Sequence, residues 1–491
     1  MSESVTEGTG AKGFDSSSQT SERGVLLEFI SKLGLAMTGT GQSIDVIQTS
    51  LAKIANAYRV KAQVAVLPNI LLIKLGGHGS AEVDLASGVN QPYRLDQTAD
   101  VFHLVGRAER AEVSPNEGLR RLAEIRRTPS RYNPATRILG YAGIAVGIGL
   151  ILEGSLSQLL TCILLGVLIG ELKELCSNNR TAASLVPVIS SLVVGIVVFS
   201  IVKADLVSGP LMLLIPPVVT FLPGATLTTA LIELANGDII SGASRLVDGA
   251  IKLLLLIFGY IVAAGLIGLP TAEAFAQEPR PVFGWWAPWL GVFIYGIGTY
   301  IHHTAPTRSL PWLFLVLYVA FAGQQIGGQT LGGYLSGFIG AVAMTPVAYW
   351  IERRPGAPPA LVTFLPGFWL LVPGSLGLIG LAQLAADNGQ AGVQTVGDMT
   401  FALVAVALGV MVGTQLIRPI GKPLGEVPER VERGLGRLIG KGMIVATTIR
   451  KSAKQEIESA KTQSADGSMT GEDYSEPTDS SSQTRNGSAE W

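Results

Sequence analysis

The segment Val219-Thr-Phe-Leu-Pro-Gly224 recurs letter for letter as Val362-Thr-Phe-Leu-Pro-Gly367, at an offset of 143 residues. Each copy falls inside a long apolar stretch, where a Pro-Gly pair interrupts a helix and leaves backbone groups without partners. The same offset carries apolar stretches near 138, 184 and 250 onto stretches near 281, 327 and 393. The repeat therefore predicts a duplicated membrane unit with one broken helix in each half.

Charged residues are scarce in the middle of the chain. The 281 residues from Ile138 to Arg418 contain 22 of them, whereas the other 210 residues contain 51. This distribution excludes a single soluble domain and predicts a multi-spanning membrane protein between two polar ends. The net charge of −1 argues against a nucleic-acid-binding protein, and two cysteines cannot build a disulfide scaffold.

Ten apolar runs approach the length of about 20 residues that a helix needs to cross a bilayer. Because each half holds five spans, an odd number, the second half must enter the membrane from the opposite side, as in the inverted repeats of secondary transporters. We therefore expect an α-helical integral membrane protein with two five-helix repeats, at 137–270 and 285–418. The predicted spans are 137–153, 156–172, 184–202, 208–234, 250–269, 286–303, 309–325, 330–351, 360–385 and 398–417.

The distribution of basic residues predicts the orientation of these spans, because cytoplasmic loops are enriched in Lys and Arg. With the N-terminus inside, seven basic residues fall on the inner side and two, Lys203 and Arg280, on the outer side. We therefore expect a plasma-membrane protein with both termini in the cytoplasm. The seven inner residues are Lys173, Arg180, Arg245, Lys252, Arg308, Arg353 and Arg354.

The polar ends of the chain differ in their patterns. Residues 23–130 mix helical and strand-like periodicities and predict a small cytoplasmic α+β domain. Residues 1–22 and 452–491 are rich in Ser, Thr, Gly and acidic residues, so we expect both segments to be disordered. Residues 419–451 form a basic amphipathic segment that lies either on anionic lipid or in solvent. The strands predicted in the α+β domain are 64–67, 70–75, about 81–86 and a fourth near Tyr93.

The predicted transport pathway follows the two Leu-Pro-Gly breaks, because broken helices at equivalent positions of inverted halves mark substrate sites. After Gly224, a new helix would present its N-terminal N–H groups to a substrate carboxylate. Thr226, Thr229 and Glu233 then share one face of this helix, and Glu233 suits a substrate ammonium group. The alternative is that Glu233 is hydrated at the inner interface and that the threonines only satisfy the helix backbone.

Three further residues are candidates for a gate or for proton coupling. Asp238 either caps the following helix or pairs with Arg245 as a gate. His302 either relays protons or lies with His303 in the interface. No metal-ligand spacing, no Gly-x4-Gly-Lys-Ser/Thr loop and no Gly-x-Ser-x-Gly elbow occurs in the sequence, so we expect no metal, cofactor or catalytic nucleophile. The pathway residues predicted at the two breaks are Thr220, Pro223, Gly224, Thr363, Pro366, Gly367 and Ser375.

The order of these motifs resembles the threonine/serine exporter family. The resemblance rests on the α+β domain, two five-span halves that each carry Leu-Pro-Gly, and the pattern Gly-Asp-x-x-Ser-Gly-x-x-Arg at 237–245. Gly41-Gln-Ser-Ile-Asp-Val also resembles the early helix signature of the family, and 114–125 resembles its closing helix. The resemblance covers about 23–418. Glu153, where a small Gly-rich turn is expected, and Glu233, where the acid is usually Asp, depart from the family pattern.

The resemblance implies a secondary transporter, not an enzyme, that exports L-threonine and L-serine with the proton gradient and without ATP. Its partners would be these small amino acids, protons and membrane lipid, with a homo-oligomer left open. Two alternatives stand beside this reading. One is export of another small carboxylate such as a dicarboxylate, and the other is a membrane-tethered sensor or hydrolase that acts through the N-terminal domain.

Overall fold

The computed structural model of the protein describes most of the chain between Phe14 and Ile417. The predicted basic segment 419–451, the predicted disordered tail 452–491 and the predicted site residue Ser375 lie outside the described residues. The described residues are 14–67, 70–76, 82–88, 92–177, 179–207, 209–275, 283–332, 335–371, 378–381, 384 and 389–417.

In the described part of the N-terminal domain, the first two of four helices pack against a three-stranded antiparallel sheet, and the other two pack against those helices. Strand β2 (Ile70–Leu75) lies in the middle of the sheet, between β1 (Ala62–Leu67) and β3 (Glu82–Ser87). Its Leu72 is paired with Ala65 of β1 and with Leu85 of β3. Alternate residues of β2 are buried against the helices, as the pleat of a strand requires. The elements are α1 (Phe14–Gly39), α2 (Ile44–Ala57), β1 (Ala62–Leu67), β2 (Ile70–Leu75), β3 (Glu82–Ser87), α3 (Leu95–Glu109) and α4 (Pro115–Arg127).

The N-terminal domain differs from the prediction at two places. Helix α1 begins at Phe14, so residues 14–22 of the predicted disordered segment are helical. Tyr93 lies in a loop and not in a fourth strand. Its backbone N–H donates to the carbonyl oxygen of Gly39 at 3.2 Å, and the Arg126 guanidinium lies 4.7 Å from its ring centroid. Tyr93, a residue type that is common in strands, therefore contacts α1 through its backbone and α4 through its ring.

In the described part of the membrane region, all regular secondary structure is helical. Five segments are long and apolar enough to cross a membrane, at 134–151, 181–203, 239–267, 307–330 and 392–415. The helices are α5 (Pro134–Ile151), α6 (Leu156–Cys176), α7 (Arg180–Lys203), α8 (Pro210–Leu214), α9 (Gly224–Asn236), α10 (Ile239–Ile267), α11 (Thr271–Ala274), α12 (Ala287–His302), α13 (Leu310–Leu331), α14 (Ser336–Glu352), α15 (Ala360–Leu370) and α16 (Gly389–Gln415), with 3-10 helices at Pro216–Phe221 and Thr307–Ser309.

By this criterion of length and apolar composition, the described residues contain five candidate spans, whereas the sequence predicts ten. Among the other helices, α9, α12 and α14 have 13, 16 and 17 residues. Each is shorter than the about 20 residues of a full span. The structure therefore confirms a mostly helical chain with several apolar helices and a small sheet near the N-terminus. The ten-span inverted repeat stays a prediction.

Helices α5 and α12 approach closely because glycines lie at their contact. A Cβ atom at Gly147 would lie 2.5 Å from the backbone nitrogen of Tyr295, and one at Gly298 would lie 2.6 Å from the carbonyl oxygen of Gly140. Small residues allow the backbones of membrane helices to approach in this way. The contact joins the first helices of the two predicted halves and places the start of α5 beside the end of α12, at His302.

The two copies of Val-Thr-Phe-Leu-Pro-Gly adopt different conformations. In the first copy, the 3-10 helix ends at Phe221, Leu222 is extended with φ −64° and ψ 125°, and α9 begins at Gly224. The second copy lies inside α15, which continues through Pro366. The predicted break at Pro366-Gly367 is therefore wrong. Before the first copy, Pro216 and the proline after it lack amide protons and end α8, whereas α15 is already formed when the chain reaches Pro366.

Candidate functional site

A group of polar side chains meets at the first break. We call Tyr141, Lys173, Thr220 and His302 the break cluster. Lys173 Nζ lies 3.2 Å from Thr220 Oγ1 and 3.1 Å from His302 Nε2. Tyr141 Oη lies 3.0 Å from Thr220 Oγ1 and donates to the carbonyl oxygen of Pro217 at 2.7 Å. Side chains from α5, α6, the 3-10 helix and α12 therefore form one connected network.

Two backbone carbonyls determine the hydrogen-bond directions in the break cluster, because a carbonyl oxygen only accepts. Tyr141 uses its one proton on Pro217, so Thr220 donates its own proton to Tyr141. In the same way, Nδ1 of His302 donates to the carbonyl oxygen of Arg137, at 3.0 Å. In the neutral imidazole, Nε2 then accepts a hydrogen bond from the ammonium group of Lys173.

Lys173 and His302 together carry one positive charge. Two full charges 3.1 Å apart would repel by about 5 kcal/mol at an effective dielectric constant of about 20. The adjacent carboxylate, Glu174, is paired with Arg137. Among the described residues, no carboxylate forms an ion pair with Lys173, whose ammonium lies 4.7 Å from the ring centroid of Tyr141 and 5.3 Å from that of Phe221. The break cluster is therefore a cationic site without a counter-ion from the described chain.

A second polar group lies where the N-terminal domain meets the end of α9. We call Gln42, Ile44, Glu233 and Arg245 the domain contact. Glu233 is fully buried, and its Oε2 lies 3.0 Å from Nε of Arg245. Its Oε1 accepts a hydrogen bond from the backbone N–H of Ile44 at 3.3 Å. Arg245 Nη2 donates to the carbonyl oxygen of Gln42 at 3.2 Å. The carboxylate that the sequence suggests for a substrate ammonium is therefore engaged in an ion pair in this structure.

Glu233 takes the part of a helix cap for α2. The first N–H groups of a helix have no partner within the helix, and a carboxylate beside them is favourable. Ser43 is in the capping position of α2, but its side chain makes no capping hydrogen bond. The carboxylate of Glu233 accepts from Ile44, the first residue of α2, instead. The predicted helix signature beginning at Gly41 therefore lies at the contact with the membrane helices.

The other predicted residues of α9 and α10 stay outside these two groups. Thr226 and Thr229 are partly buried, and Thr228 between them is fully buried with no hydrogen bond to its Oγ1 from the described residues. Asp238 precedes α10, and its side chain makes no capping hydrogen bond. Arg245 pairs with Glu233, so the structure does not bring Asp238 and Arg245 together as a gate.

The predicted residues of the second half have packing contacts. Thr363 is buried, and its hydroxyl donates to the carbonyl oxygen of Ala360 at 3.1 Å, within α15. The carbonyl oxygen of Pro366 accepts from the hydroxyl of Tyr295 at 3.1 Å. A Cβ atom at Gly367 would lie 3.1 Å from a side-chain carbon of Val316. These contacts join α12, α13 and α15 but bring no charged group to the second copy.

The sequence-based prediction named Thr220 and His302, which the structure places in the break cluster, but it did not include Lys173 or Tyr141 among the site residues. A lysine in the last turn of an apolar helix is typical of the inner interface. The partner of Lys173, His302, lies 129 positions away, so no local spacing reveals the pair. The usable signal is the ionisable side chain itself, because such a residue within a membrane helix is a functional candidate by default.

Comparisons with known proteins agree with the family suggested by the motifs. The family described as "Putative threonine/serine exporter" matches residues 28–267. A "Probable threonine/serine exporter" of Mycobacterium tuberculosis is 23% identical over 441 residues, which cover 85% of this chain and 82% of that protein. A "Pheromone-regulated membrane protein 10" of Yarrowia lipolytica is 22% identical over 382 residues, which cover 73% of this chain and 30% of that protein. No solved structure matches the chain.

Proposed function

Starting from the confirmed resemblance to the threonine/serine exporter family over residues 28–267, we propose that this membrane protein exports L-threonine and L-serine by proton-driven secondary transport. The observation that carries the proposal is the break between the 3-10 helix and α9, which lies beside the break cluster within the helix bundle. Irregular backbone at membrane depth is tolerated where it is buried in protein or lines a cavity, and in transporters it forms the substrate site.

The charges near the break favour a substrate with a single carboxylate. Lys173 and His302 supply one positive charge, and the hydroxyls of Tyr141 and Thr220 add polar partners that suit a small hydroxy amino acid. A dicarboxylate would require a second unpaired cation. Two arginines of this region already have carboxylate partners, since Arg137 pairs with Glu174 and Arg245 pairs with Glu233. The charge balance therefore favours threonine and serine over the dicarboxylate alternative.

In proton-driven export, the proton and the substrate move in opposite directions across the membrane. The carrier must therefore bind one or the other at a time, so that binding of the proton and binding of the substrate exclude each other. A carboxylate that binds either a proton or a substrate ammonium provides this competition. Glu233 suits this role, because it is fully buried and lies at the end of the helix that follows the break. Arg245 then holds the carboxylate in the absence of substrate.

The proposal is tested by efflux of threonine. Cells that lack their own exporters are loaded with a threonine dipeptide, and external threonine is followed with and without this protein and with an uncoupler. We expect efflux that depends on the protein and falls when the uncoupler collapses the proton gradient. In cells that make Glu233→Gln, we expect the uncoupler-sensitive part to disappear.

Two results would contradict the proposal. A correctly inserted protein that gives no threonine efflux would remove the substrate assignment, and the same cells would then be tested with dicarboxylates. A Glu233→Gln variant with full, uncoupler-sensitive efflux would remove that residue from the coupling. A tethered sensor or hydrolase predicts no efflux from the full chain. Deletion of residues 1–130 then defines the role of the N-terminal domain: surviving transport would make the domain regulatory, and loss of transport from a protein that still inserts would make it part of the pathway.

A further inference from the structure

We propose that Lys173 recognises the α-carboxylate of the exported amino acid, held in position by Thr220 and His302. This inference rests on the proposed function and adds the residue that reads the anionic group of the substrate. The starting observation is that the positive charge of the break cluster has no carboxylate partner in the described chain, while the adjacent Glu174 is paired with Arg137.

The hydrogen bonds of the break cluster leave one donor for a ligand. An ammonium group has three N–H donors. One donates to Thr220 Oγ1 at 3.2 Å and one to His302 Nε2 at 3.1 Å. The hydroxyl of Thr220 donates onward to Tyr141, and Nδ1 of His302 donates to Arg137, so neither neighbour can neutralise the charge. Among the described residues, the third N–H of Lys173 has no hydrogen-bond acceptor, so it can meet a carboxylate oxygen.

The surroundings of Lys173 strengthen an interaction with an anion. The rings of Tyr141 and Phe221 replace water on two sides of the ammonium group. Reduced hydration raises the strength of a charge-assisted hydrogen bond relative to the same bond in bulk water. Lys173 also lies in the last turn of α6, where the helix dipole favours a cation. The dipole alone does not account for the hydrogen bonds of Lys173 to Thr220 and His302.

The position of the break cluster matches the side from which an exporter takes its substrate. The backbone N–H of Leu95, in the N-terminal domain, donates to the carbonyl oxygen of His303 at 3.1 Å, next to the cluster. The domain predicted to be cytoplasmic therefore lies against the end of α12 that carries His302.

The test uses inside-out membrane vesicles that contain the full chain and a proton gradient, so that export appears as uptake. Uptake of L-threonine is measured for the wild-type protein, Lys173→Arg and Lys173→Met, and L-threoninamide serves as a competitor that lacks the carboxylate. The matched control is Lys203→Met, because Lys203 also ends an apolar helix and, within the part of the chain that the structure describes, donates to the carbonyl oxygen of Ile267 alone.

For Lys173→Met we expect KM for L-threonine to rise about 10- to 100-fold, the range for loss of a hydrogen bond to a charged group. Lys173→Arg, which keeps the charge, restores most of this loss. In the wild type, L-threoninamide competes at least about 10-fold less well than L-threonine, and Lys173→Met removes that preference. Lys203→Met leaves both values unchanged. A role in folding alone would lower the amount of protein but would not change the preference between the two ligands.

The inference is overturned if Lys173→Met keeps the wild-type KM, or if it keeps the preference for L-threonine over L-threoninamide. Wild-type vesicles that take up no L-threonine would instead refute the proposed function, and with it this assignment. The two failures are distinguishable, because the first leaves transport intact and the second shows none.

Discussion

The variant Arg245→Met removes the positive charge that pairs with the buried carboxylate of Glu233. Glu233 has no exposed side-chain surface, and the paired atoms lie 3.0 Å apart. Removal of one member of a buried ion pair costs about 3–5 kcal/mol, because the other charge remains buried without compensation. The side chain of Arg245 keeps 19% of its surface exposed, which weakens the pair. We therefore expect a loss near the lower end, about 3 kcal/mol.

The double variant Glu233→Gln/Arg245→Met separates the ion pair from other effects of the substitution. Without the carboxylate, no buried charge remains, and the glutamine oxygen still accepts from Ile44. We expect the double variant to lose about 1 kcal/mol, less than Arg245→Met alone. Glu233→Gln alone should also lose about 1 kcal/mol, because Arg245 still reaches solvent. The matched control is Lys252→Met on the same helix, since its pair with Asp248 is about half exposed and contributes at most about 0.5 kcal/mol.

The assay combines the free energy of unfolding in mixed detergent micelles with hydrogen exchange of the peptide that contains Ile44. In Arg245→Met we expect the amide of Ile44 to exchange up to about 100-fold faster than in the wild type, the equivalent of about 3 kcal/mol. Equal stability of the single and double variants would refute the reasoning, because it would mean that no buried charge is left behind. Unchanged exchange at Ile44 in Arg245→Met would show that loss of the ion pair does not destabilise the start of α2.

Three further predictions concern stability. Gly147→Ala should destabilise the protein by about 1–3 kcal/mol, because the new Cβ would lie 2.5 Å from the backbone nitrogen of Tyr295. Its control is Gly265→Ala, which has open space around the new Cβ and should be neutral or stabilising by up to about 1 kcal/mol. Glu153→Gly should stabilise by about 0.5–1 kcal/mol, since Glu153 has φ 59°, a conformation that favours glycine, and Glu153→Gln should show no gain. Tyr141→Phe should cost about 1 kcal/mol in unfolding free energy through loss of its hydrogen bonds to the 3-10 helix, and an unchanged value would contradict those bonds.

The sequence predicts the N-terminal domain well because its signals are local. The strands predicted at 64–67, 70–75 and about 81–86 correspond to β1, β2 and β3, and turn residues such as Pro68-Asn69 mark the ends of these short runs. The structure of the two membrane halves is harder to predict from the sequence, because long apolar runs indicate where helices lie but not where or how each helix ends. The left-handed conformation of Glu153 shows why a small Gly-rich turn is expected after α5, although this chain has an acid there.

The repeated hexapeptide shows the limit of local sequence. Six identical residues form a break at 219–224 and part of a continuous helix at 362–367. The difference arises from flanking prolines and from tertiary contacts, such as the hydrogen bond from Tyr295 to the carbonyl oxygen of Pro366. The break cluster has the same origin, because Lys173 and His302 meet only through the packing of α6, α5 and α12. Candidate residues can therefore be found from the sequence, but their partners cannot.

The contacts of the N-terminal domain also bear on how the exporter proposed here would work. The domain presents the first amides of two helices, Ile44 of α2 and Leu95 of α3, to Glu233 and to the carbonyl oxygen of His303. In an undocked domain, water would satisfy both amides, so each bond contributes only about 0.5–1.5 kcal/mol net. The ion pair between Glu233 and Arg245 needs no residue of the domain and would persist. These polar bonds thus specify where the domain docks while adding only a few kcal/mol.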